Sequence, residues 1–149
     1  MASYNFFVHG IPAPKGSTRA FVVKGKAITT DASKRTRPWM FAVADVARQA
    51  IGESRIPTGG PVTVSTHFVV QRPKGHFNAK GALRTTAPRW PIARNGDTDK
   101  LARCILDALT GIAYADDAQV VRLFAEKRYA DQDSPSNRGP GVAIRVEEL

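Results

Sequence analysis

GDTDKLARCILDALTGIAYADDAQV, residues 96–120, reads as a helix, a tight turn and the approach to a strand. Leu101, Cys104, Ile105, Ala108 and Leu109 recur at i, i+3, i+4, i+7 and i+8, the spacing of one helical face, and predict a helix from about Asp99 to Thr110. Gly111 stands where a left-handed cap would end it. The opposite face gathers Asp99, Lys100, Arg103, Asp107 and Thr110, and Asp97 lies just outside the first turn, where free amides favour an anion. After the turn, Asp116 and Asp117 precede AQVVRLFAEKRY, which reads as a strand.

Working outward, PVTVSTHFVV (61–70) alternates, with Val62, Val64, Thr66, Phe68 and Val70 on one side. YNFFV (4–8) and VAIRVEEL (142–149) supply two further strands. FVVKGKAIT places two β-prone runs around Lys24-Gly25-Lys26, a hairpin signal. Trp39, Val43, Val46 and Ala50 predict a first helix over about Ser33–Ile51. Residues 71–96 hold no sustained period and read as a long basic loop, a kind of segment that in small domains is functional or disordered. Strands and helices are interspersed, which predicts an α/β (α+β) chain: a mixed sheet with two packed helices in one compact domain over 1–149.

The chain carries a formal net charge of +9, unevenly spread. Residues 1–96 contain 15 Lys+Arg and 3 Asp+Glu, whereas residues 97–149 contain 7 and 10. No acid falls between Glu53 and Asp97, where Arg55, Arg72, Lys74, Lys80, Arg84, Arg89 and Arg94 all lie. A polyanion is the natural partner of such a surface, because clustered cations release counterions from a phosphate backbone. Lys15 and Arg19, in the loop PAPKGSTR, extend the cationic set, and Phe77 and Trp90 offer rings to bases or to the domain's own surface. No apolar run is long enough to span a bilayer, and the first residues lack a signal-peptide pattern, so a cytoplasmic protein is expected. Cys104 is the single cysteine and is expected in the core.

Carboxylates gathered in one small site repel one another unless a cation holds them. Mg²⁺ suits aspartate oxygens, water and phosphate, and Mn²⁺ is an alternative; such a metal in a basic protein points to phosphodiester hydrolysis. Taken singly, Asp99 could be an N-cap, Asp107 could pair with Arg103, and Asp116-Asp117 could be ordinary turn residues. Other acidic motifs fit less well. PIARNG is not the hydrophobic strand that precedes a haloacid-dehalogenase DxD, Lys100-Leu101-Ala102 does not continue an EF-hand, and Glu126-Lys127-Arg128 is a weak imitation of a restriction-type Glu-x-Lys. No P-loop, dinucleotide fingerprint or GxSxG is present.

The order Asp97-x-Asp99, Leu101, Asp107-Ala108-Leu109-x-Gly111, Asp116-Asp117-x-Gln119-Val120 resembles the signature of the RusA family of Holliday junction resolvases. PAPKGSTRAFV (12–22) and Pro38-Trp39 resemble its phage-type members. The resemblance implies a homodimeric, Mg²⁺-dependent endonuclease that makes paired cuts in four-way DNA junctions during recombination and repair. By position, Asp97, Asp99 and Asp117 would bind metal, with Asp116 as a neighbour sharing that role. Lys100 stands where the family has Asn, and Arg103 where it has a catalytic Lys. Arg103 keeps a permanent charge but cannot shuttle a proton, and Lys100 is expected to share that work. The competing reading is a non-catalytic or flap- and fork-directed branched-DNA-binding protein.

Overall fold

The centre of the sheet is the strand whose alternation is clearest in the sequence. In a computed structural model, which describes residues 1–16, 18–31, 34–56, 59–92, 96–132 and 138–149, β4 spans Val62–Val70 and buries Val62, Val64, Thr66 and Phe68 completely. Chain order also gives β1 (Ser3–His9), β2 (Thr18–Val23), β3 (Lys26–Asp31), α1 (Thr36–Ile51), α2 (Thr98–Leu109), β5 (Val120–Tyr129) and β6 (Gly141–Glu148). Four strands form one mixed sheet in the order β1-β6-β4-β5. β6 runs antiparallel to both neighbours, with Ile144 opposite Phe6 and Thr66, while β4 and β5 are parallel, with Thr66 beside Ala125. Parallel neighbours need a long crossover, and residues 71–119 provide it.

Both helices cover one face of this sheet. Leu101, Ile105 and Leu109 of α2 and Val43 and Ala47 of α1 are fully buried in one core with Val64, Phe68, Val142 and Val146. Cys104 joins that core as a buried thiol. The period of α2 is the predicted one, its ends shifted by a residue. In α1 the buried line is Trp39, Val43, Ala47 and Ile51, so Ala50, expected on that face, is exposed and Val46 only half-buried. The helix starts at Thr36, inside the predicted start, and Ser33 lies outside the described residues. β2 and β3 form the expected hairpin as a separate two-stranded sheet. Its turn holds Lys24 and Gly25 at φ 50° and 76°, the left-handed pair that a two-residue hairpin requires.

The basic segment after β4 is built rather than patternless. Lys74–His76 forms a 3-10 turn, Phe77 bridges Leu83, and the Asn78 side chain accepts from the backbone N–H groups of Lys80 (2.9 Å) and Ala82 (3.0 Å). Arg72 ties it to the sheet. Its side chain is only 5% exposed, and its guanidinium donates to Asp131 Oδ1 at 2.7 Å, to Asp131 Oδ2 at 3.2 Å and to the Pro88 carbonyl at 2.6 Å, above the Tyr129 ring. This corrects the sequence expectation that Arg72 faces DNA, because its donors are turned inward. A periodicity search cannot see the pairing, because Asp131 lies 59 positions away.

The hydrogen bonds from Arg72 hold the Asp131 carboxyl below its ordinary range. Because the folded value is lowered, the stabilisation is present above the unfolded value of about 4 and is lost as pH falls through the folded one. Arg72→Ala should cost roughly 2–3 kcal/mol in urea unfolding at neutral pH. The gap from wild type should narrow below about pH 4; a gap independent of pH would show that packing of Arg72, and not its ion pair, carries the effect.

Candidate active site

Two of the four aspartates stand at the start of α2. Asp97 occupies the N-cap position in an extended conformation, yet its carboxylate makes no capping hydrogen bond, and Asp99 lies in the first helical turn. Both are exposed at the positive end of the helix dipole. Lys100 Nζ is 3.4 Å from Asp97 Oδ2. Gly96, at φ 94°, makes the bend that delivers Asp97, and a side chain there would press on Leu101.

A lysine from the sheet supports this bend. Lys127 lies on the helix-facing side of β5, beside Phe68 of β4, and its Nζ donates to the Gly96 carbonyl at 3.0 Å. Lys127 is not among the site residues that the sequence motif marks. The available signal was its parity: Ala125 and Tyr129 share its side of β5, and a lone cation among such residues asks for an acceptor.

The loop before β2 crosses the polar face of α2. Lys15 N–H donates to the Lys100 carbonyl at 3.0 Å, the Thr36 hydroxyl holds the Pro14 carbonyl at 2.8 Å, and Lys15 Nζ pairs with Asp107 Oδ2 at 3.0 Å. Asp107 thus pairs with Lys15 and not with Arg103, the i, i+4 partner that spacing suggests. Arg103 is exposed and lies against Gly16, where an added Cβ would come within 2.9 Å of its guanidinium. Lys100, Arg103, Lys15 and Asp107 therefore line one strip of α2.

Asp116 and Asp117 belong to the other end of that helix. After Thr110 and Gly111 the chain doubles back, so that buried Tyr114 donates its hydroxyl to the Leu106 carbonyl at 3.0 Å. Burial, then the negative charges of Asp117 and Asp107, push the Tyr114 phenol up and keep it neutral. Asp116 caps a short 3-10 turn over Asp117–Gln119, accepting from Ala118 N–H at 2.8 Å. Gln119 completes the cap by accepting from Ala115 and Asp116 N–H, and its amide reaches the Gly60 carbonyl. Asp116 thus serves the turn through Oδ1, and both Asp116 and Asp117 are exposed in it.

With 12 residues at about 1.5 Å each, α2 spans roughly 18 Å. The acids accordingly fall into two groups within one chain, Asp97 with Asp99 and Asp117 with Asp107. Among the described residues, no three His, Cys, Asp or Glu side chains are placed to hold one metal ion. The carboxylates are of the right kind for Mg²⁺, but the described residues of one chain do not bring three of them together.

Lys74, Lys80, Arg84 and Arg89 are exposed along the crossover, beside the half-exposed rings of Phe77 and Trp90. Arg84 Nε donates to the Phe77 carbonyl, and Arg89 lies 5.6 Å from the Trp90 ring centre. Arg94 and the Arg19 side chain, both expected to contact DNA, lie outside the described residues. No helix among the described residues is long and apolar enough to cross a membrane.

Comparison with known proteins agrees with the motif. The family described as endodeoxyribonuclease RusA matches residues 12–147. The uncharacterized protein YqaN of Bacillus subtilis (strain 168) is 30% identical, over the whole of this chain and 99% of its own length. With β2 to β5, both helices and all four aspartates inside the matched segment, the chain belongs to the RusA endodeoxyribonuclease family.

Proposed function

We propose that this protein is a Mg²⁺-dependent, structure-selective endodeoxyribonuclease that resolves four-way DNA junctions as a homodimer, in the cytoplasm of a bacterial or phage-infected cell. The observation that carries the reading is the start of α2. There two exposed carboxylates, one of them left free of its capping duty, stand among Lys100, Arg103 and Lys127 in a family of DNA endonucleases. Bound there, Mg²⁺, or Mn²⁺ in its place, would activate water and offset charge on the phosphate under attack.

The protein's own groups divide the remaining work. Lys127 fixes the Gly96 carbonyl and so the direction in which Asp97 leaves the bend. Arg103 and Lys100 stabilise the extra negative charge of the pentacovalent phosphate, and Arg103 does so without exchanging a proton. Lys74, Lys80, Arg84 and Arg89 hold the junction arms, with Lys15, Arg19 and Arg94 extending the same basic surface. Arg72 stands apart from this set because its guanidinium is buried against Asp131.

The separation of Asp117 from Asp97 and Asp99 supports a two-chain site. A two-fold pair that sets the end of α2 in one protomer against the Asp117 turn of the other would supply three carboxylates twice, once for each of the paired cuts. The same separation favours the second reading, a branched-DNA-binding protein without catalysis, should two chains not complete the set.

A labelled four-way junction incubated with Mg²⁺ should show symmetric nicks. Asp97→Asn should lower the rate by about 100-fold or more while junction binding persists. Binding without cleavage in either Mg²⁺ or Mn²⁺ would establish the second reading, and preferential cutting of flaps or forks would move the substrate class. Lys127→Ala should lower cleavage by about 10–100-fold, as loss of a group that orients a ligand does, and leave junction affinity near wild type. An unchanged rate would remove Lys127 from the site.

A further inference from the structure

β5 is the last strand of the sheet, and among the described residues nothing pairs with its outer edge. Edge strands are ordinarily protected by shortness, proline or inward-turned charge, because their free N–H and C=O groups invite another strand. β5 has ten residues and no proline; its one helix-facing charge, Lys127, lies near the strand's end and is held by the Gly96 carbonyl, and its middle is apolar and uncovered: Leu123 is 47% and Phe124 49% exposed, on opposite faces of the sheet. Between Arg122 and Tyr129 its register against β4 is regular, the one irregularity falling before Arg122.

We infer that this edge is the homodimer interface, and that two copies of β5 pair antiparallel about a two-fold axis through Phe124 to join two four-stranded sheets into one. The inference rests on the homodimeric reading above and names its surface. A two-fold axis normal to a sheet pairs residues of the same face, so the axis must pass through a residue position. Placed at Phe124, it sets Arg122 opposite the partner's Glu126, twice by symmetry, and Leu123 opposite the partner's Ala125. Placed at Leu123, it sets Arg122 against the partner's Phe124; at Ala125, it sets Arg122 against the partner's Arg128. Only the first choice matches opposite charges.

Glu126 is equipped for the added partner. It contacts Arg128 at 3.2 Å and His67 at 3.5 Å through Oε1, and its side chain, 31% exposed, is within reach of a further guanidinium from the partner. The register also has a consequence for the acids. It lays the start of the partner's β5 along the end of this one, carrying the partner's Asp117 turn toward Lys127 and the Gly96–Asp97 bend.

The test uses the full chain in solution. Directly opposed residues in such a pair have Cα atoms about 4.5–5.5 Å apart, within disulfide reach. Phe124→Cys should form a covalent dimer on mild oxidation, whereas Val22→Cys, on the exposed hairpin, should not; native Cys104 is buried and silent. Arg122→Glu should raise the dimer dissociation constant by about tenfold or more in analytical ultracentrifugation, and Arg122→Glu with Glu126→Arg should restore it. A monomeric wild type, or a dimer that neither cross-links at position 124 nor weakens with Arg122→Glu, overturns the interface. Junction cleavage is read separately. A dimer through another face that still cuts junctions rejects this surface alone, and a cross-linked dimer that never cuts supports the surface and rejects the nuclease reading.

Discussion

The parallel pairing of β4 with β5 is the constraint on which the remaining architecture depends. Two parallel neighbours cannot be joined by a hairpin, so the chain must return along the sheet before β5 can begin. The return path contains the basic segment, α2 and both pairs of conspicuous aspartates. Burial of Leu101, Ile105 and Leu109 fixes α2 on the sheet, and each such side chain contributes roughly 1.5–3 kcal/mol. Since β5 starts at the end of α2 bearing Asp117 and reaches the other end at Lys127, one crossover sets the separation of the acids and the support beneath Asp97.

Much of this was legible in the residues because it is local. The faces of α2 and β4 follow from periods of 3.6 and 2, and Leu101, Ile105, Val64 and Phe68 are buried where those periods put them. The hairpin turn at Lys24-Gly25 is equally local chemistry. The metal-ligand candidates were found by order along the chain, and Asp97 and Asp99 stand at the helix start as expected. Asp116 shows how far that order goes, since its carboxylate proves to be the acceptor of a turn that Gln119 closes.

What sequence did not reveal depends on contacts between distant positions. Arg72 looked like one more cation in a basic stretch, but Asp131 and the Pro88 carbonyl draw its guanidinium inward. Asp107 pairs with Lys15 because the loop before β2 crosses α2, which no helical wheel contains. Lys127 meets the Gly96 carbonyl 31 positions away. Most of all, the sequence lists the aspartates within 21 residues of one another, and α2 then holds them apart by its length.

In the proposed enzyme, carboxylates at the two ends of α2 would act together only when two chains meet. The most direct measurement mixes Asp97→Asn and Asp117→Asn chains, each expected to be inactive alone, allows subunits to exchange, and follows nicking of a four-way junction with Mg²⁺. In a mixed dimer one site then carries both substitutions and the other carries none. Nicking should then recover, confined to a single strand per junction. Mixed dimers that stay as inactive as either parent would contradict this sharing, because each chain would then have to supply its whole acid set by itself.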